Sequence, residues 1–235
     1  MQDRYVGDVG DFGKYALLRH LTGGKRLGVA WYLYPDESHN ADGKHVRYLE
    51  EPGTWRDLDP VAFEHMGVLV QQGLRCVAAV EASGVLPDAV FASERLDCAS
   101  RSASEREAWR REWFERVQAR LTEAEVVFAD PDNGLYPDDG YRWGRVKHWK
   151  SIPLSEVAAL ADGRCAVIYH HNTRRKGGHE AEIRHWLGLM PGPAVALRVR
   201  AYSPRTYFIV NPTPDIEARA RAFAEAWPKT ELMSP

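Results

Sequence analysis

The sequence predicts a single α/β domain, residues 1–235, built on a mostly parallel sheet. Apolar runs with strand character alternate with segments of helical periodicity along its 235 residues, the pattern of parallel strands joined by crossover helices. Two late apolar runs, 194–202 and 206–212, are joined by a very short turn. A parallel crossover needs a dozen or more residues, so this pair is antiparallel. Hydrophobic residues make up 44% of the chain and charged residues 27%, enough apolar material for the core of one such domain.

Each element has its own signal. A first helix is expected over 11–21, where Phe12, Tyr15, Leu18 and Leu21 recur near helical spacing and Gly23-Gly24 end the run. The aromatic-rich stretch 26–34, bounded by Gly and Pro, predicts a strand. Residues 60–75 read as helix, 75–83 fit strand or helix equally, and 89–93 form a short strand. Ser104 and Glu107 have the spacing of a capping box. The helix they open carries Trp109, Trp113, Val117 and Leu121 on one stripe, as a helix lying on a sheet does. A buried strand over 125–130 follows, then a helix near 154–162, a strand over 164–172, a helix near 179–189 and the antiparallel pair. A last helix over 215–227 carries Ile216, Ala220, Phe223 and Trp227. A parallel sheet closed by an antiparallel hairpin is the outline of the Rossmann-like methyltransferases, a likeness of fold that does not fix function.

The net charge of −2 gives no global basic field, so contact with nucleic acid has to come from local patches. Cys76, Cys98 and Cys165 are far apart and form no CxxC, which predicts a reduced, cytoplasmic protein without a zinc cluster. The first residues lack the basic and apolar regions of a signal peptide. No apolar run approaches the roughly 20 residues of a membrane helix, so a membrane is not an expected partner.

Ligands in open α/β sheets sit beyond the carboxyl ends of strands, and three strands here end in polar clusters. One ends at Asp36-Glu37, with Asn40, Asp42 and Lys44 following. The next ends at Asp130-Pro131-Asp132-Asn133, and the third at His170-His171-Asn172 followed by Arg174, Arg175 and Lys176. Each cluster alone reads equally well as a solvated turn; their convergence at one edge argues for a site. The stretch GDVGDFGKY interleaves Asp8, Asp11 and Lys14 with Gly7, Gly10 and Gly13. Glycine lets a backbone approach a ligand, while an ordinary helix start with Asp11 near its positive end explains the acids equally. Residues 172–185 form one basic loop. Arg142, Arg145, Lys147 and Lys150, mixed with Tyr141, Trp143 and Trp149, form a second basic stretch, suited to single-stranded nucleic acid or, with its tryptophans packed inward, to a solvated loop.

Two chemistries fit these residues. Methylation of an exocyclic base amine uses an acid or amide, a proline-bearing loop whose carbonyl accepts from the amine, and an aromatic ring that stacks on the base. Asp130-Pro131 match the first half, Asp132 and Asn133 stand in the second, and Tyr136 supplies a ring. Alternatively, a nuclease or phosphodiesterase, such as one that defends against foreign DNA, binds magnesium through Asp130 and Asp132, joined by Asp8, Asp11 or Asp36. Lys14, His170 and Arg174 then orient the phosphate. A transition metal on His170, His171 and His179 is a further alternative.

The order of segments resembles the J-type ribosomal RNA adenine methyltransferases and the three-Cys-motif partner proteins, through GDVGDFGKYALLRHL, FADPDNGL and YFIVNPTP. It is more closely similar to a set of bacterial proteins sharing GDxGDFGKYxLLR, WYLxPDE, DGKHxxYL and DPDNGL, a likeness that implies no activity. The methyltransferase resemblance implies S-adenosylmethionine as cofactor and a purine amine of a nucleic acid as target. It implies Asp130 and Pro131 at the amine, and Arg174, Arg175 and Lys176 on the phosphates. Asp8, Asp11, Lys14, Asp36, Asp42, Lys44 and Glu94 are then the donor-binding candidates, with Glu81 the other candidate for the donor's ribose. The glycine-rich loop expected after the first strand is replaced by PDESHNADGKH. A non-catalytic partner protein that kept the fold and lost the donor site is the remaining alternative.

Overall fold

The computed structural model describes residues 1–37, 43–97, 101–201 and 204–235. After a 3-10 turn at Asp3–Tyr5, helix α1 (Val9–Thr22) runs into strand β1 (Leu27–Ala30). Helices α2 (Pro52–Trp55), α3 (Pro60–Gln71) and α4 (Val77–Ser83) lead to β2 (Val90–Ala92). Helix α5 (Ala103–Arg120) then precedes β3 (Val126–Ala129). The short strands β4 (Gly134–Tyr136) and β5 (Ser151–Pro153) pair with each other in a separate two-stranded sheet. Next come α6 (Leu154–Leu160), β6 (Cys165–His171), α7 (Gly178–Leu187), β7 (Ala194–Val199), β8 (Arg205–Val210), α8 (Pro214–Ala226) and β9 (Thr230–Met233).

The main sheet has the order β2-β1-β3-β6-β8-β7-β9. Strands β2, β1, β3 and β6 are mutually parallel. Strand β8 is antiparallel to β6, and β7 and β9 continue antiparallel from it. Five strands therefore run one way and β8 and β9 the other, which makes this a Rossmann-like α/β sheet with an antiparallel end. Among the described residues no helix is long and apolar enough to cross a membrane.

Alternation along each strand divides the core. Val126 and Phe128 join Phe12, Leu18, Trp31 and Ile209 on one face, while Val127 and Ala129 join Trp113, Leu160, Ile168 and Phe208 on the other. Sheet faces covered on both sides explain why β1 and β3 are continuously apolar rather than alternating.

Several boundaries differ from expectation. Residues 77–83 are helix, and the antiparallel end gains an unexpected strand, β9. The capping box is formed by Ser102 and Glu105, not Ser104 and Glu107. Ser102-Ala103-Ser104-Glu105-Arg106-Glu107 contains that spacing twice, and the earlier copy takes the helix start. Asn40, Asp42 and Cys98 lie outside the described residues.

Candidate active site

Helix α1 is antiparallel to the strand it feeds, so its first turn lies at the carboxyl edge of β1. Strand β8 runs backwards, so its first residue, Arg205, reaches the same edge as the ends of β3 and β6. These elements enclose a cavity of about 230 Å³ lined by Asp8, Asp11, Lys14, Asp130, Asp132, Tyr169, His171 and Arg205, with Met1, Tyr5, Gly43 and His45 also on its wall. A larger open groove of about 1000 Å³ lies at the opposite edge. Its Arg164 is spent on the carbonyls of Leu160, Leu121 and Ala124, and it lies at the amino ends of the parallel strands, away from where such sheets place ligands.

The cavity floor is ionic. Lys14 Nζ donates to Asp11 Oδ1 at 2.8 Å and to Asp130 Oδ2 at 2.7 Å, and these side chains are 3–5% exposed. Its third contact is the Met1 sulfur at 3.7 Å, a weak acceptor. Tyr15 donates to Asp11 Oδ2 at 3.2 Å. Burial pushes the Asp11 carboxyl up to about 6, aided by Asp8 and Asp130 and opposed by Lys14. Burial acts to lower the Lys14 ammonium, but Asp11 and Asp130 outweigh it and hold its pKa well above the ordinary lysine value. Asp8 caps α1, accepting from the Gly10 and Asp11 amides at 2.6 and 3.1 Å.

Asp132 faces a second set of cations. Its carboxylate meets the Met1 amino group at 2.8 Å, Gln2 Nε2 at 2.5 Å and Lys150 at 3.9 Å. Burial opposes this, yet these partners hold its carboxyl below the ordinary aspartate value. Lys150 also donates to Glu37 at 2.5 Å. The segments that follow β1 and β3 and the one before β5 are thereby tied together.

The structure gathers Asp8, Asp11, Lys14, Asp130, Asp132 and His171 and adds Tyr169 and Arg205, which the sequence does not single out. His171 and Tyr169 line the cavity, whereas His170 projects from the opposite face of β6 because neighbours on a strand alternate. His170 Nδ1 accepts from the Leu135 amide at 3.0 Å, and its Nε2 lies 3.2 Å from Glu182 Oε1. That buried ring braces β4 and α7 rather than facing the cavity. His170 and His171 therefore cannot share one metal with His179. Arg205 has no local motif; only its place at the start of a reversed strand brings it here.

Other expected site residues lie elsewhere. Glu94 is held by the Arg116 guanidinium at 2.8 and 2.9 Å on the outer side of α5, and Glu81 accepts from Trp31 Nε1 at 2.7 Å. Asp36 is exposed and accepts from the Arg4 amide at 3.2 Å. Lys44 is exposed beside the cavity-lining Gly43 and His45. Gly43 lets the backbone come close to the chain's own Arg4 carbonyl. The Pro131 carbonyl accepts from the Gly134 amide at 3.3 Å in a turn, and Asn133 is exposed. The Tyr136 ring packs on His148 and Tyr141 at 4.8 and 5.9 Å. Trp149 is buried against Trp109, and Trp143 sits under Arg111, so the second basic stretch offers no stacking platform from these tryptophans. Arg174, Arg175 and Lys176 are exposed and follow His171 out of the cavity.

The described residues do not fit S-adenosylmethionine at the ends of β1 and β2. That space holds the chain's own first residues. The Met1 carbonyl accepts from the Tyr34 amide at 2.8 Å, the Met1 amino group donates to the Tyr32 and Asp130 carbonyls at 3.2 and 2.7 Å, and Asp3 binds the Val77 amide at 2.7 Å and Arg95. Where a donor loop would place glycine, Tyr32 adopts φ 45°. Its buried hydroxyl donates to Glu156 at 2.6 Å, and Glu156 is in turn gripped by Arg110 at 2.7 and 2.8 Å. A preformed magnesium site at Asp130 and Asp132 is also not supported, because each carboxylate already faces its own cation. Among the described residues no group of three or more His, Cys, Asp or Glu side chains is placed to hold a metal ion.

No protein-family model matches the chain, and no curated protein matches it significantly.

Proposed function

We propose that the chain hydrolyses a phosphate ester of nucleic acid in the Asp11–Lys14–Asp130 cavity. The observation that carries this reading is one buried lysine bridging two aspartates at a cavity floor, under a wall that includes Arg205 and His171. A general base works best with a pKa near the working pH, and Asp11 at about 6 is ionised but still basic at neutral pH. Asp11 takes a proton from water as its oxygen bonds to phosphorus. Lys14 keeps its proton, as its raised pKa requires, and hydrogen-bonds the oxygen that leaves as its bond to phosphorus breaks, while Asp11 passes the proton taken from water to that oxygen. No net proton stays on the protein. Arg205 and Lys14 offset the charge that develops on the phosphoryl oxygens, and Asp130 holds the ammonium in place.

The test is hydrolysis of bis(p-nitrophenyl) phosphate and of an end-labelled oligonucleotide by the wild type, Asp11→Asn and Asp130→Asn. Loss of a base of this kind lowers the rate by about 10²–10⁴-fold. Rates unchanged in both variants refute the proposal.

Methyl transfer to a base amine is the second reading; only the sheet outline speaks for it, and the occupied ends of β1 and β2 speak against it. Calorimetry with S-adenosylmethionine decides it: micromolar binding supports methyl transfer, and no heat removes it.

A further inference from the structure

We infer that the substrate enters as the end of a single strand, with the phosphate and sugar of its terminal nucleotide in the cavity and the following phosphates on the loop at 174–176. This rests on the hydrolytic reading above and adds the substrate class. About 230 Å³ is less than the roughly 300–1,000 Å³ of pockets that take drug-sized ligands. It suits the phosphate and sugar of one terminal nucleotide, with the base at its mouth, and a duplex does not enter it. The reacting groups lie deep: Asp11, Lys14 and Asp130 are all buried. A phosphodiester inside a stacked duplex cannot come within bonding distance of them, whereas a free end can be threaded in.

The polarity changes along the path outward. The floor carries the acids. Arg205 and His171 stand on the wall, Tyr169 offers a ring beside Lys14 at 5.9 Å, and Arg174, Arg175 and Lys176 are fully outside. Three residues of extended chain cover at most about 10 Å, so Arg174 lies within reach of the phosphates next to the cavity. Glu182 fixes the start of this loop. Its carboxylate accepts from the Thr173 amide at 2.9 Å and the Thr173 hydroxyl at 2.6 Å. A basic track leading from a deep, acid-floored cavity suits a strand whose terminus is consumed. An open groove crossing the protein would suit an internal segment.

The experiment compares one sequence in three forms, a linear single strand, the same strand ligated into a circle, and a blunt duplex, with bis(p-nitrophenyl) phosphate as a fourth substrate. The expected result is stepwise shortening of the linear strand, with the circle and the duplex processed at least tenfold more slowly. A circle cut as fast as the linear strand overturns the end-entry inference and leaves the hydrolytic reading standing. If the small ester is hydrolysed in an Asp11-dependent way while no nucleic acid is cut, the substrate class is wrong and the chemistry is right. If none of the four is hydrolysed, both fall.

Discussion

Replacing Lys14 with Met shortens the side chain by one atom, keeps it unbranched and removes its charge. In the wild type that charge satisfies two carboxylates at 2.8 and 2.7 Å, and all three side chains are 3–5% exposed. Taking one partner from a buried ionic group typically costs about 3–5 kcal/mol, because the remaining charges stay desolvated and unpaired. Asp11 and Asp130 would then lack the cation between them, and Asp11 would bind a proton more readily. The Asp11 pKa is already about 6 in the fold, against 3.8 ordinarily, and it rises further in Lys14→Met. The folded variant thus holds a proton that its unfolded chain releases, so its stability increases as pH falls through the folded pKa. Urea denaturation at pH 8 is expected to show a loss of about 3–5 kcal/mol relative to wild type, with the slope m unchanged. Between pH 8 and 6 that loss shrinks, by at most about 1.4 kcal/mol per pH unit for one extra proton. A loss below about 1 kcal/mol, or one independent of pH, refutes the assignment of Lys14 as the buried counter-charge.

Four further outcomes follow from the same geometry. For hydrolysis by the wild type, the rate rises with pH through about 6 and levels off above it, because the base must be ionised; a pH–rate profile without that limb removes Asp11 from the role. A methyl group at Gly10 would collide with the Arg205 guanidinium, so Gly10→Ala displaces Arg205 and raises KM roughly tenfold, the scale of one hydrogen bond to a charged group; steady-state kinetics on the labelled strand measure it. Burial raises the Glu182 carboxyl, but hydrogen bonds from His170 and Thr173 outweigh it and pull it down to about 2. Its contribution to stability is therefore present above pH 4.5 and lost between 4.5 and 2, and acid denaturation of Glu182→Gln should lack that increment. Arg110→Met leaves Glu156 buried without its guanidinium and should lower stability by about 3–5 kcal/mol, read by thermal unfolding.

The likeness between sequence and structure is greatest where a local rule acts alone. The stripe of Trp109, Trp113, Val117 and Leu121 is buried as its spacing requires. The short link before Arg205 did force an antiparallel pair, and the acidic tip after 129 stands at the carboxyl edge beside Asp8, Asp11 and Lys14. Expectation fails where two local readings are degenerate. Ser102 and Ser104 offer the same cap spacing, and His170 and His171 are chemically alike but face opposite sides of the sheet. It fails again where a side chain is claimed by a remote partner, as Glu94 is by Arg116 and the Tyr136 ring by His148.

By itself the sequence determined that this chain alternates strands with helices and that three strand ends carry the polar residues, because periodicity and turn chemistry are properties of neighbours along the chain. Only the tertiary structure decided which of those residues share a cavity. Lys14 meets Asp130 across 116 positions, and Arg205 arrives from a reversed strand. Such pairings depend on strand order and register, which are settled by packing the two faces of the sheet together and leave no trace in any short segment.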